Sequence, residues 1–101
     1  MPKGYVIFTE DIHDQPQINA YAQQAIPTIL QAGGQVLVAD DAPEQIEGAW
    51  HGTRTVVLEF ESVEAARNWY NSAEYQEHAG LRHAAADNKA AIVAGFEMPA
   101  G

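Results

Sequence analysis

The clearest strand of the sequence is Arg54-Thr55-Val56-Val57-Leu58-Glu59-Phe60, which is rich in β-branched and apolar residues. Because successive side chains of a strand point to opposite faces of the sheet, its even-numbered residues share one face and its odd-numbered residues share the other. Apolar side chains therefore occur on both faces, with Leu58 on one and Val57 on the other. An antiparallel sheet that exposes one face to water alternates apolar and polar residues more strictly.

Outward from this strand, the chain predicts an α+β domain. Further strands are predicted over Tyr5–Glu10, Gln35–Ala39 and Ala91–Phe96, with residues 44–47 as a short extension or an edge strand. Helical segments are predicted after the capping residues Asp14, Ser62 and Ser72, the last of them to about Asp87. The order β-α-β-β-α-β is that of ferredoxin-like antiparallel sheets. We expect one such domain over residues 1–101, since chains divide into several domains only at greater lengths.

The two helices of this arrangement can cover only one face of the sheet. The first strand carries Tyr5 and Ile7 opposite Val6 and Phe8, so its second face is apolar as well. A second copy docked sheet to sheet would cover that face, and we therefore expect a homodimer. The alternative is that β-branched residues on an exposed face only reflect their preference for strands.

Composition excludes several classes of partner. The chain has 5 Lys and Arg against 14 Asp and Glu, a formal charge of −9. Phosphate backbones and anionic lipid surfaces repel such a chain, so we expect neither nucleic acid nor membrane partners. The absence of cysteine excludes disulfides and thiolate metal sites. With no membrane-spanning stretch and no signal-peptide core, a cytoplasmic protein is expected.

Several short motifs together resemble a known family. They are Trp50-His51-Gly52-Thr53-Arg54, Val56–Phe60, Ser62 with Ala65-Ala66, Trp69–Ser72, Glu74-Tyr75-Gln76 and Arg82, with Tyr5-Val6-Ile7, Tyr21, Pro27, Gly33-Gly34 and Ile46-Glu47-Gly48 earlier in the chain. This pattern is similar to domain-of-unknown-function family 1330, within the dimeric α/β-barrel superfamily. The resemblance implies a ferredoxin-like protomer that pairs into a dimeric barrel, and it implies no reaction. The wider superfamily includes cofactor-free monooxygenases, haem-degrading enzymes, lactone isomerases and regulatory domains.

The most promising cluster of chemical groups lies on the second helical region. Tyr75, His78 and Arg82 fall at positions i, i+3 and i+7, on one face of a helix. Together they could bind and polarise a small acidic or carbonyl ligand. The alternative is that Tyr75 packs in the core, His78 is exposed, and Arg82 pairs with Glu59 or Glu47.

Three residues near the third strand complete the candidate set. Arg54 and Trp50 could line the same pocket. Glu59 is expected to be partly buried, either as a general base with a raised pKa or as a structural partner of Arg82 or Arg54.

No metal or cofactor is predicted. His78 and His83 are five residues apart and lack the i, i+4 spacing of a paired zinc site. Superfamily relatives bind haem through a histidine on the later helix, but beyond these two histidines nothing in the sequence supports haem. The hypotheses are therefore a small-molecule pocket between sheet and helices, as in a cofactor-free enzyme, or a non-catalytic dimeric structural or regulatory module.

Overall fold

The computed structural model describes residues 2–99, in which the predicted β-α-β-β-α-β order holds and the second helical region is divided in two. The elements are β1 (Gly4–Ile12), α1 (Gln15–Gln31), β2 (Gln35–Asp40), β3 (Arg54–Phe60), α2 (Val63–Tyr70), α3 (Ala73–Ala85) and β4 (Ala86–Ala94). The predicted caps are confirmed. The side chains of Asp14, Ser62 and Ser72 each accept a hydrogen bond from the backbone N–H three residues later.

The end of the chain differs from the prediction. The last strand begins at Ala86 instead of Ala91 and ends at Ala94 instead of Phe96, and α3 ends at Ala85 instead of near Asp87. An alanine-rich run favours helix, but from Ala86 onward the backbone pairs with the end of β1, where Ala86 lies opposite Ile12. Tertiary pairing thus overrides local propensity. The alternative of a strand over residues 44–47 is wrong, since they form no strand.

The four strands form one antiparallel sheet in the order β2-β3-β1-β4. β1 is central and pairs with both β3 and β4, so its side chains have neighbours on each side. β2 is an edge strand, and its pairing with β3 shifts register between Val36 and Val38.

The helix-covered face of the sheet carries the core. Val6, Phe8, Leu58 and Phe60 are buried on it, as the strand alternation predicts. Trp69 of α2 packs on this layer, with its ring centroid 5.3 Å from that of Phe60. Its indole N–H donates a hydrogen bond to Thr28 Oγ1 of α1 at 3.0 Å, so the buried polar atom is satisfied.

The other face, which we call the open face, is covered by none of the helices in residues 2–99. Its apolar side chains are half-buried or exposed: Tyr5, Ile7, Val38, Trp50, Val57, Ala91 and Val93. The prediction that both faces of the sheet are apolar is confirmed. Among residues 2–99, none of the helices has the length and apolarity that crossing a bilayer requires.

Candidate functional site

A cavity of about 90 Å³ lies between α1 and the helix-covered face of the sheet. Most of its wall is apolar, formed by Phe8, Ile18, Ala22, Ala25, Ile26, Ile29, Val36, Ala39, Val56 and Leu58. Three polar residues complete the lining, namely Glu10, Tyr21 and Arg54. Ile26 and Val36 are exposed as well as lining the cavity, so it opens to solvent between α1 and β2. An apolar recess with a few convergent polar groups is the usual form of a small-molecule site.

Glu10 is the only buried carboxylate in the described part of the chain, with 3% of its surface exposed. It follows Val6 and Phe8 on the inward side of β1, where alternation places it beneath the helices. Within residues 2–99 its carboxylate makes no hydrogen bond and no ion pair. Burial raises the pKa of Glu10, while the charges of Arg54 and Arg82 oppose that rise. A carboxylate in this state can exchange a proton with a bound molecule.

Backbone contacts hold Glu10 in place. The backbone N–H of Thr53 donates to the Glu10 carbonyl oxygen at 2.8 Å. Gly52, with φ of +84°, lies so close to the Glu10 backbone that a Cβ there would sit 2.6 Å from its carbonyl oxygen. Only glycine satisfies both the positive φ and the close approach.

Arg54 is the cation that a ligand in the cavity can reach. It lies opposite Glu10 in the register of β1 and β3. Its Nε is 3.3 Å from the exposed carboxylate of Asp41, which makes an ion pair without hydrogen-bond geometry. The Arg54 Nε–H is therefore buried and has no hydrogen-bond acceptor among residues 2–99.

Tyr21 of the cavity wall begins a hydrogen-bonded chain that continues behind the wall to the buried Tyr75 and Arg82. The hydroxyls of Tyr21 and Tyr75 are 2.8 Å apart, and Arg82 Nε donates to the Tyr75 hydroxyl at 3.3 Å. The Arg82 guanidinium also lies 4.6 Å from the centre of the Phe8 ring. Burial raises the pKa of both tyrosines, so both are neutral phenols.

Arg82 is 2% exposed and has no carboxylate within ion-pair distance in the described part of the chain. The predicted alternative, in which Arg82 pairs with Glu59 or Glu47, is therefore wrong. Glu59 lies on the open face, with the sheet between it and Arg82. Its partners are the Tyr75 hydroxyl, the His83 ring nitrogen and the ring faces of Phe8 and Tyr21, none of which carries a negative charge that would neutralise it.

Only part of the predicted site is brought together. Tyr75 and Arg82 meet behind the cavity, and Arg54 lines it. His78 is half-buried on α3 and makes no hydrogen bond or ion pair within residues 2–99. His83 accepts a hydrogen bond at Nε2 from Arg82 Nη2 at 3.3 Å, and burial lowers its pKa.

The other two predicted residues lie on the open face. Trp50 donates from its indole N–H to Thr55 Oγ1 at 2.9 Å. Glu59 accepts hydrogen bonds from Lys3, Tyr5 and Gln35, each at 3.1 Å. The bond from Lys3 is the main cause that lowers the pKa of Glu59. The expected carboxylate with a raised pKa is therefore not Glu59, and burial raises the pKa of Glu10 instead.

Glu10 and Tyr21 were not among the residues predicted for the site. Glu10 shares its face of β1 with Val6 and Phe8, and an acidic residue in such an apolar alternation is the signal that could have found it. Tyr21 belongs to the apolar stripe of α1, and this pattern predicts a core residue. In the part of the chain that the structure describes, no three His, Asp or Glu side chains are placed to hold a metal ion.

Solved structures of similar fold cover nearly the whole chain. A protein of unknown function from Rhodopseudomonas palustris has a TM-score of 0.75 and 16% identity, over 96% of this chain and 85% of that one. SnoaB, a cofactor-independent oxygenase from Streptomyces nogalater, has a TM-score of 0.71 and 9% identity, over 97% of each chain. A dimeric protein of unknown function with a ferredoxin-like fold, from Bacteroides fragilis, has a TM-score of 0.53 and 7% identity, over 91% of this chain and 95% of that one.

At these identities the likeness shows the fold, which is ferredoxin-like. A comparison with curated proteins gave no match. The sequence itself matches the model of one family, domain of unknown function DUF1330, over residues 3–96. With that match over nearly its full length, the chain belongs to the DUF1330 family.

Proposed function

We propose that the protein binds a small molecule carrying a carboxylate or carbonyl group in the cavity between α1 and the sheet. The observation that carries this proposal is the combination of apolar walls with Arg54 and Glu10 in one recess. Two of the five Lys and Arg residues of this acidic chain, Arg54 and Arg82, lie at or behind the cavity. Cations placed there favour an acidic or polarised oxygen on the ligand.

The size of the cavity limits the ligand. Its volume of about 90 Å³ is well below the roughly 300–1,000 Å³ of sites for larger ligands, so the ligand has only a few non-hydrogen atoms. Its apolar part would pack against Ile18, Ile29 and Leu58, and its oxygen atoms would face Arg54. The likeness to a cofactor-independent oxygenase supports chemistry without a cofactor on this fold, as an analogy between folds.

Titration of the full chain with pyruvate, followed by two-dimensional amide NMR, tests this proposal. Shift changes are expected at residues that line the cavity. Arg54→Gln is expected to weaken binding roughly tenfold, because it removes a charge-assisted hydrogen bond. The matched control is Lys3→Gln, which removes a cation from the open face and should leave the affinity unchanged. Shifts confined to the open face, or equal affinity in Arg54→Gln, would contradict the proposal.

We also infer that a second copy of the chain covers the open face, so that the protein is a homodimer. Exposed Val38, Val93 and Trp50, together with half-buried Ile7 and Val57, form an apolar surface that no helix covers. The structure from Bacteroides fragilis is described as dimeric, which supports the inference. A non-catalytic dimeric module is the second candidate function, and this surface is the observation that favours it.

A further inference from the structure

Glu10 combines three properties that the other carboxylates in the described part of the chain do not share. It is buried, it lines the cavity, and within residues 2–99 its carboxylate has no hydrogen-bond or ion-pair partner. A buried carboxylate without a partner is costly, and a fold that retains one without a structural bond leaves it free to act on a ligand. Glu59 differs, because its carboxylate accepts hydrogen bonds from three side chains.

The charges around Glu10 come from three parts of the chain. Arg54 of β3, which lines the cavity, and Arg82 of α3, which does not, lower its pKa, and Asp41, which follows β2, acts with the opposite sign. The arginines allow Glu10 to ionise in spite of its burial, and the same positive potential can stabilise negative charge on a bound oxygen. A base and a site for the resulting anion therefore lie in one small recess.

We propose that Glu10 is a general base that removes a proton from the carbon next to the carbonyl group of a molecule bound in this cavity. The inference rests on the proposed ligand site and adds the class of reaction. The C–H bond breaks, its proton passes to a carboxylate oxygen of Glu10, and its electron pair forms a carbon–carbon double bond. The carbonyl π electrons move to oxygen, giving an enolate that faces Arg54. Return of the proton to the same or another carbon completes exchange or isomerisation, and no oxidant or reductant is required.

Deuterium exchange on the full chain tests this step. Pyruvate is incubated with the protein in heavy water, and loss of its methyl proton signal is followed by NMR. We expect exchange with the wild type to be faster than in buffer alone. In Glu10→Gln this additional rate should fall at least tenfold, since general bases contribute roughly 10²–10⁴-fold to a rate. Pyruvate affinity in Glu10→Gln should persist. Glu59→Gln, an identical change on the opposite face, should keep the wild-type exchange rate.

A second variant and a pH profile separate catalysis from folding. Glu10→Asp retains a carboxylate and should recover part of the exchange that Glu10→Gln loses. The wild-type rate should rise with pH as Glu10 deprotonates, and this rise should be absent in Glu10→Gln. If pyruvate binds in the cavity but exchange equals the buffer rate or survives Glu10→Gln, the base role is overturned and the ligand site stands. If pyruvate causes no shifts at the cavity, the ligand site and the base role both fail.

Discussion

At the scale of single residues, Glu10 and Glu59 lie on paired strands but on opposite faces of the sheet. Burial raises the pKa of Glu10, whereas the bond from Lys3 lowers that of Glu59. When folding raises the pKa of a group, the protonated group stabilises the folded state. This stabilisation is fully present at low pH and is lost as the pH rises through the folded-state pKa. A lowered pKa has the opposite effect, because its contribution is present above the unfolded-state value and is lost on acidification.

We therefore expect Glu10→Gln to be more stable than the wild type at about pH 7 and to lose this advantage at about pH 4. The reason is that the amide carries no charge that must be desolvated. Thermal unfolding across this pH range measures the effect. Glu59→Gln is the control, and we expect the opposite effect. This variant should be less stable than the wild type, and the difference should be greatest at neutral pH. Equal pH dependence in Glu10→Gln and wild type would show that Glu10 does not titrate with a raised pKa.

The hydroxyl of Tyr75 is the junction of the buried polar chain, since it contacts both Tyr21 and Arg82. Tyr75→Phe keeps the ring but leaves both partners without this bond in a buried environment. We expect a loss of about 1–3 kcal/mol in the free energy of unfolding. Denaturant unfolding measures it, with Tyr5→Phe on the open face as the matched change. We expect Tyr5→Phe to cost less because the Tyr5 hydroxyl bonds only Glu59, which keeps its bonds from Lys3 and Gln35. Equal losses would contradict a special role for the buried chain.

At the scale of elements, α3 brings Tyr75 and Arg82 to the core while Gly80 stands on its exposed side. A Cβ at Gly80 would meet no atom within 4 Å. Gly80→Ala should therefore raise the free energy of unfolding by about 0.5–1 kcal/mol, because alanine loses less backbone entropy in a helix.

Gly34, between α1 and β2, provides the contrast. A Cβ there would lie 2.5 Å from Cε1 of Phe60, a buried ring. Gly34→Ala should therefore destabilise by about 1–3 kcal/mol through overpacking. Denaturant unfolding should show that Gly80→Ala raises the free energy of unfolding and that Gly34→Ala lowers it. The first change follows from helix propensity in α3, and the second from the lack of space beside Gly34. A destabilised Gly80→Ala would indicate a contact on the outer side of α3.

At the scale of the whole molecule, the proposed homodimer would form through the open face. Sedimentation at micromolar concentration should give twice the protomer mass of 11.0 kDa. Ile7→Lys places a charge at the centre of this face and should give the protomer mass while keeping the fold, since Ile7 is only half-buried. Leu30→Lys, at a position on α1 that is 61% exposed, should leave the dimer intact. A wild type that sediments only as an 11.0 kDa species would contradict dimerisation.

The order of elements, the helix caps and the two apolar faces follow from the sequence alone. Strand alternation is local, so Leu58 and Val57 identify their faces without any knowledge of neighbours. Capping is equally local, since Ser62 and Ser72 bond backbone groups three residues away. The start of β4 differs from the prediction because pairing with β1, which is distant in sequence, determines it.

The candidate site depended on tertiary structure. Helix spacing placed Tyr75 and Arg82 together correctly, but it could not show that Tyr21 joins them from another helix. Nor could it show that the sheet separates Glu59 from Arg82. The alternation of β1 places Glu10 on the face of Val6 and Phe8, but its burial and the lack of a partner for its carboxylate are properties of the packed chain. Local pattern determined which face each residue occupies, and the packing of distant elements determined which residues meet.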